Sequence, residues 1–399
     1  MKEPAPALAP PGAQTAPAAP PPSWQQGRSA EQAKSPLHPI APILTGRPAS
    51  ELAHDKLKVP PGFKVEVWVD GLPEARSMAL GDKGTVFVGN RNLSDVYAVI
   101  DKGGKREIKK ILKGLASPNG VLFNKGTLFV AEKNRIVRYD GIEDRLDNPP
   151  EPKVIIDGLP EQPGHFWKVM TLGPDGKIYF NVGAPGNIVM PSYIQAAILR
   201  VDPKTGKMED YAQGVRQSVG MAFNPKTKQL WFTSNNRDWL GEDGPSDILQ
   251  VVKRKGEHFG YPYCHQGDTP DPEFGKYRSC SEFTPPTLKL GAHIAPLGMR
   301  FYTGKMFPAE YRNAVFIARH GSWNKSKKIG GDIVVAKLNP DGTVKSIEPF
   351  ITGFIVDNNY IGRPVDMEWL KDGSMLLSDD YNGAVYRITY GPQRVSMGR

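Results

Sequence analysis

Six positions along the chain carry polar side chains just ahead of an apolar strand: Arg76, Asn119, His165, Arg216 with Gln217, His293 and Arg363. His165 stands in the stretch PGHFWKVMTLGPDGKIYFNVG, behind a Pro-Gly pair and three residues before Lys168. Histidine can take or give a proton near neutral pH. Arginine offers a planar fork that matches carboxylates. Several cations around one pocket suit an anionic ligand. Any one of these residues alone is ordinarily a surface group or a satisfied hydrogen-bond partner. Their equivalent placement is what points to a shared pocket.

That placement comes from a repeat. The unit is a lead-in loop, a small-and-apolar strand, a tight turn, a second strand, a polar break and a third apolar strand. It recurs at 75–99, 117–140, 165–183 closed by 196–202, 218–236 with 247–252, 295–321 with 331–338, and 363–390. The matching apolar positions are Met78, Val121, Met170, Met221, Met299 and Met367, at spacings of 43, 49, 51, 78 and 68. A four-stranded propeller blade needs about 40–50 residues, and loops absorb insertions. The repeat therefore predicts an all-β, six-bladed β-propeller. PGFKVEVWV at 61–69 is expected to supply the outer strand that closes the ring with the last blade. In a propeller the first strand of each blade lines the axis, so the lead-in loops converge on one rim.

The totals agree with a turn-rich β protein: 399 residues, with 42 glycines and 38 prolines. The formal charge of +9 is spread along the chain, with no basic stripe and no nucleic-acid motif, so no nucleic-acid partner is expected. No apolar run is long enough to span a membrane. Residues 1–24 hold eight prolines and no apolar core of a signal peptide. The expected organisation is a Pro/Ala-rich, extended or disordered segment at 1–56, a propeller at 57–390 and a tail at 391–399. Cys264 and Cys280, 16 positions apart in one loop, would most simply form a disulfide in an exported protein, although free thiols are the alternative. A zinc site from His258, Cys264, His265 and Cys280 lacks standard spacing, and no C-x-x-C-H haem motif occurs.

The segments ARSMALG, PGHFWKVMTLGPDGKIYFNVG, GVRQSVGMAF, WFTSNNRDWLGEDGPSDILQVV, HFGYPYC, GAHIAPLGMRFYTG, RHGSWN and GRPVDMEWLKDGSMLLSDDYNGAVYRITY, in this order, carry a family resemblance. The chain resembles the soluble quinoprotein glucose/sorbosone dehydrogenases, and within them the L-sorbosone dehydrogenase-like branch, over roughly residues 57–390. The resemblance implies pyrroloquinoline quinone (PQQ) and Ca²⁺ on a six-bladed propeller. It implies oxidation of a sugar-type alcohol or hydrated aldehyde, with an external dye, quinone or cytochrome as electron acceptor and a periplasmic or secreted location. By the same resemblance His165 is the catalytic base and Arg216 stabilises charge on the reduced quinone. Arg363 matches one of a family arginine pair on the cofactor, Arg319 falls where a family lysine contacts it, and Arg76 adds charge; Gln217, His293 and, from the ring of lead-in loops, Asn119 are expected beside them. Gln217 stands where the glucose enzymes have asparagine, and Val365 where they have a second arginine.

The resemblance also aligns NNRD at 235–238 with a calcium loop, making the carbonyls of Asn236 and Arg237 ligands, with Asp238 adjoining. The acidic residues Asp238, Glu242, Asp243 and Asp247 could bind a structural calcium or form a solvated loop. Two other readings stay open from the residues alone. One is a Ca²⁺-dependent lactonase on a similar ring, which needs a carboxylate and asparagines around a metal. The other is a propeller that only binds a partner.

Overall fold

The computed structural model describes residues 25–30, 32–35, 37, 44–161 and 164–391. Each of the six repeated apolar positions lies in the first strand of a sheet and pairs with the second strand: Met78 with Val88, Val121 with Val130, Met170 with Phe180, Met221 with Phe232, Met299 with Ile317 and Met367 with Leu377. Six antiparallel blades follow in chain order. Their first strands are Ala75–Leu80, Gly120–Asn124, Met170–Leu172, Met221–Phe223, Pro296–Phe301 and Pro364–Trp369. These first strands contact one another around the axis, the sixth against the first. The fold is an all-β, six-bladed propeller without an α-helix among the described residues.

Second strands such as Val86–Asn90, Leu230–Ser234 and Met375–Asp379 are buried along their whole length. Neighbouring blades cover both faces, so an apolar run replaces alternation there. The outermost strands do alternate, as in Lys105–Leu112 and Val344–Ile351, because one face meets water. The ring closes as the sequence predicts. Phe63–Val69 pairs antiparallel with Ala384–Tyr390 as the outer strand of the sixth blade. Phe63 locks that seam through edge contacts to Phe307 at 4.8 Å and Phe350 at 5.0 Å.

The long insertion lies between Ser246–Val252 and Leu288–Ala292, the last two strands of the fourth blade. It sends Glu257–His258 to extend the third blade in parallel. Cys264 and Cys280 form a disulfide across it, with Cα atoms 5.3 Å apart. The expected segment at 1–56 is described only at 25–30, 32–35, 37 and 44–56, and the expected tail only at 391; the rest of both lies outside the described residues.

Candidate functional site

In an antiparallel blade the start of strand one and the end of strand two lie on the same rim. Two loops per blade therefore reach the axis there. Together they enclose a cavity of about 330 Å³. The lead-in loops supply Arg76, His165, Trp167, Arg216, Gln217, His293 and Arg363. The loops after second strands supply Arg91, Asn187, Asn235, Asn236, Asp238, His320 and Asn324. The sequence reading found the first set apart from Trp167. From the second it had only Asn236 and Asp238, through the resemblance.

His165 is set by its own loop. The Lys168 ammonium, buried behind it, donates to the carbonyls of Lys133, Pro160 at 3.1 Å and Phe166 at 3.3 Å. Burial lowers that lysine to about 8. The His165 Nδ1 lies 3.0 Å from the carbonyl of Ala184. A carbonyl only accepts, so Nδ1 carries the proton and Nε2 keeps its lone pair. Burial, with Arg216 adding repulsion, pulls the imidazole down to about 3. It is therefore neutral at physiological pH.

Arg216 is clamped. Its Nε and Nη2 donate to Asn187 O at 3.0 Å and Oδ1 at 2.8 Å, its Nη1 to Asn235 O at 3.1 Å, and its Nη2 also to Asp238 Oδ2 at 3.1 Å. Arginine has five N–H donors, so one on Nη1 stays uncommitted. Arg76 sits in a bulge between Ala75 and Met78, a device that re-aims a side chain. It donates to Asn119 Oδ1 at 3.0 Å and to Asp380 Oδ2 at 2.8 Å. His320 meets the other oxygen of Asp380 at 2.9 Å. Burial alone would raise Asp380; His320 and Arg76 overcome it and hold the carboxyl ionised.

Among the described residues Arg363 pairs with no carboxylate through its guanidinium. It donates to the carbonyls of His320 at 3.1 Å and Gly321 at 2.8 Å, and lies 4.9 Å from the Tyr360 ring centre. Burial, and after it Arg91, pull Arg76 and Arg363 below the ordinary guanidinium value against the opposing pull of Asp380. Arg91 itself lies 5.4 Å from the Trp167 ring, whose Nε1 donates to Arg91 O at 3.0 Å. Like charges gathered without enough counter-charge are costly, and an anion in the cavity would offset that cost.

One family, one curated relative and two solved structures are similar to this chain. A family profile described as TrAA12-like matches residues 57–391. The chain belongs to the TrAA12-like family. A curated but uncharacterised protein of Borreliella burgdorferi is 32% identical over 367 residues, covering 86% of this chain and 93% of that protein. The PQQ domain of a Coprinopsis cinerea pyranose dehydrogenase, in its holo form, superposes with a TM-score of 0.72 at 20% identity, over 84% of this chain and 97% of that one. A Trichoderma reesei carbohydrate-active enzyme of family AA12 superposes with a TM-score of 0.75 at 17% identity, over 89% of this chain and 100% of that one. At such identities the two superpositions speak for the fold.

Several expected site residues stand elsewhere. Arg319 does not line the cavity. It ends the strand Val315–Arg319, directly opposite Asp332, and binds that carboxylate through Nε at 2.6 Å and through Nη2. The next residue, His320, faces the cavity instead. Asn119 lies below, on a narrow part of the channel, bracing Arg76 and accepting no share of the main cavity. The Arg237 side chain is buried against Asp271 at 2.5 Å. His293 does line the cavity, but both ring nitrogens are committed: Nε2 meets Gly241 O at 2.7 Å and Nδ1 meets Asn324 Nδ2 at 3.2 Å. Val365 packs in an apolar cluster.

The acidic residues disperse. Asp238 takes Arg216 and Asn324, Glu242 takes Ser326, Asp243 takes Lys325, and Asp247 accepts the backbone N–H groups of Asn236 and Ala295. Burial raises Asp247 to about 6. Among the described residues no group of three or more His, Cys, Asp or Glu could hold a metal. Two acceptors on residues of the cavity lining, Gln217 Oε1 and Asn235 Oδ1, are buried without a hydrogen-bond partner among the described residues.

Proposed function

We propose that this protein is a PQQ- and Ca²⁺-dependent dehydrogenase. It oxidises a sugar-type alcohol or hydrated aldehyde, such as an aldose or a sorbosone-like ketoaldehyde, and hands the electrons to an external dye, quinone or cytochrome. One observation carries this reading: Arg76, Arg91, Arg216 and Arg363 converge with a neutral His165 on a single cavity. PQQ is a planar tricarboxylate, and the arginines with uncommitted N–H groups fit its carboxylates. The fold shared with a PQQ-holding pyranose dehydrogenase domain supports the same class.

When bound, PQQ supplies a quinone that accepts hydride from the substrate carbon. His165 Nε2 takes the proton leaving the substrate hydroxyl, as a positioned general base. Arg216, held on four sides, places fixed positive charge where negative charge develops. Trp167 gives the cavity an apolar wall beneath Arg91. For Ca²⁺ the orphaned amide oxygens of Gln217 and Asn235 would be hard, neutral donors, with the carbonyls of Asn236 and Arg237 joining them as the resemblance implies. The Asp238 carboxylate is taken up by Arg216 and Asn324 and is left out of this set. A periplasmic or secreted location suits the disulfide.

The cavity also holds four asparagines and two aspartates, the residue types of a lactonase metal site. Each aspartate is committed to protein donors, which favours the dehydrogenase. The test is titration of apo-protein with PQQ and Ca²⁺, read by tryptophan fluorescence, then dye reduction with aldoses, ketoaldehydes and simple alcohols. Saturable binding with PQQ-dependent dye bleaching is expected. No binding after EDTA treatment and calcium readdition overturns the proposal, and lactone hydrolysis would then replace it. Binding without turnover on any substrate would leave a non-catalytic propeller.

A further inference from the structure

Residues 25–28 precede the family-matched span, yet they lie against the wall of the cavity. Gln26 Oε1 accepts from the Asn187 backbone N–H at 2.9 Å, and Gln26 O accepts from Asn187 Nδ2 at 2.6 Å. Gly27 O accepts from Arg237 Nη2 at 3.2 Å, and the Arg28 guanidinium lies 4.6 Å from the Trp239 ring centre. The fit is close. A Cβ on Gly186 would come within 2.1 Å of Gln26 Oε1, and one on Gly27 within 2.0 Å of Arg237 Nη2.

Asn187 is also what holds Arg216, through both its oxygens, and its Oδ1 receives the Asp238 N–H at 2.7 Å. Its amide can point only one way. Flipped, its oxygen would face the carbonyls of Gln26 and Asp238, and its NH₂ would face the guanidinium. We infer that residues 25–28 form a strap that orients the Asn187 amide and thereby positions Arg216 in the cavity. The strap is thus a positioning element for the anionic ligand, supplied from outside the ring. Its role as a cofactor determinant rests on the PQQ reading above; its mechanical role does not.

The test uses the full chain with Gly27→Val, which collides with Arg237, and separately Gln26→Ala, which removes one bond and keeps the backbone. Hydrogen–deuterium exchange is read on peptides covering 184–190 and 235–239, and PQQ affinity is read by fluorescence titration with Ca²⁺. Both variants are expected to speed exchange in both peptides with an unchanged melting temperature, Gly27→Val more strongly. PQQ binding should weaken about tenfold in Gly27→Val, the value of one well-placed hydrogen bond. Faster exchange confined to 184–190, or none, overturns the strap. If wild-type protein takes up no PQQ, the exchange result still decides the strap, and the function proposal fails on its own.

Discussion

Arg363→Met and Arg319→Met separate the cavity from its surroundings. Arg363 faces the cavity, donates to two carbonyls and stands among other guanidinium groups. Removing it should cost the ligand a charge-assisted contact of about 1.5–3 kcal/mol. That corresponds to PQQ affinity about 10- to 150-fold weaker. The folded protein loses two bonds to carbonyls and the attraction of Arg363 to Asp380, offset in part as repulsion with Arg91 and Arg76 is relieved. Its melting temperature should change little. Arg319 behaves oppositely. Its bidentate partner Asp332 is mostly covered, the two side chains being 19% and 13% exposed. Breaking such a pair leaves a carboxylate stranded, at about 2 kcal/mol after allowance for residual solvent. Arg319→Met should therefore lower the melting temperature and leave PQQ affinity unchanged. The assay is fluorescence titration beside calorimetry on the same samples. Equal affinity losses in both variants, or none in Arg363→Met, would refute the assignment of Arg363 to the ligand.

Other outcomes follow from the same geometry. His165→Ala should retain PQQ and slow substrate oxidation by about 100-fold or more, as loss of a general base does; unchanged turnover in single-turnover kinetics removes the base assignment. Because His165 titrates near 3 rather than the ordinary 6.5, the unfolded chain takes up its proton first. Its contribution to stability is complete above pH 6.5 and declines as pH falls toward 3, and the acid limb of kcat/KM should lie well below 6.5; a limb at 6.5 contradicts the neutral ring. Gln217→Leu, which removes an orphaned acceptor, should weaken Ca²⁺ uptake by the PQQ-bound protein in calorimetry with no loss of thermal stability. Replacing both Cys264 and Cys280 by serine should destabilise the 253–287 insertion by up to about 3 kcal/mol, visible as faster proteolysis there.

The sequence alone carried the fold, because the signal is local and repeated. Met78, Val121, Met170, Met221, Met299 and Met367 recur at the same place in the first strand of each blade, each opposite an apolar residue of the second strand. It also carried half of the candidate site, since the residue ahead of a first strand reaches the axis in any propeller. Arg76, His165, Arg216 and Arg363 were found that way. The loops after second strands were missed apart from Asn236 and Asp238, although antiparallel pairing puts them on the same rim. Arg91, Asn187 and His320 come from there. The exchange of Arg319 for His320 has a simple cause: consecutive strand residues face opposite sides, and a cross-strand partner such as Asp332 claims one of them. Commitment of hydrogen bonds was likewise invisible. Asn119, His293 and Asp238 have suitable chemistry, but their polar atoms are already used by Arg76, Gly241 and Asn324, and by Arg216. Partners far away in sequence make that choice, and only the closed ring brings them together.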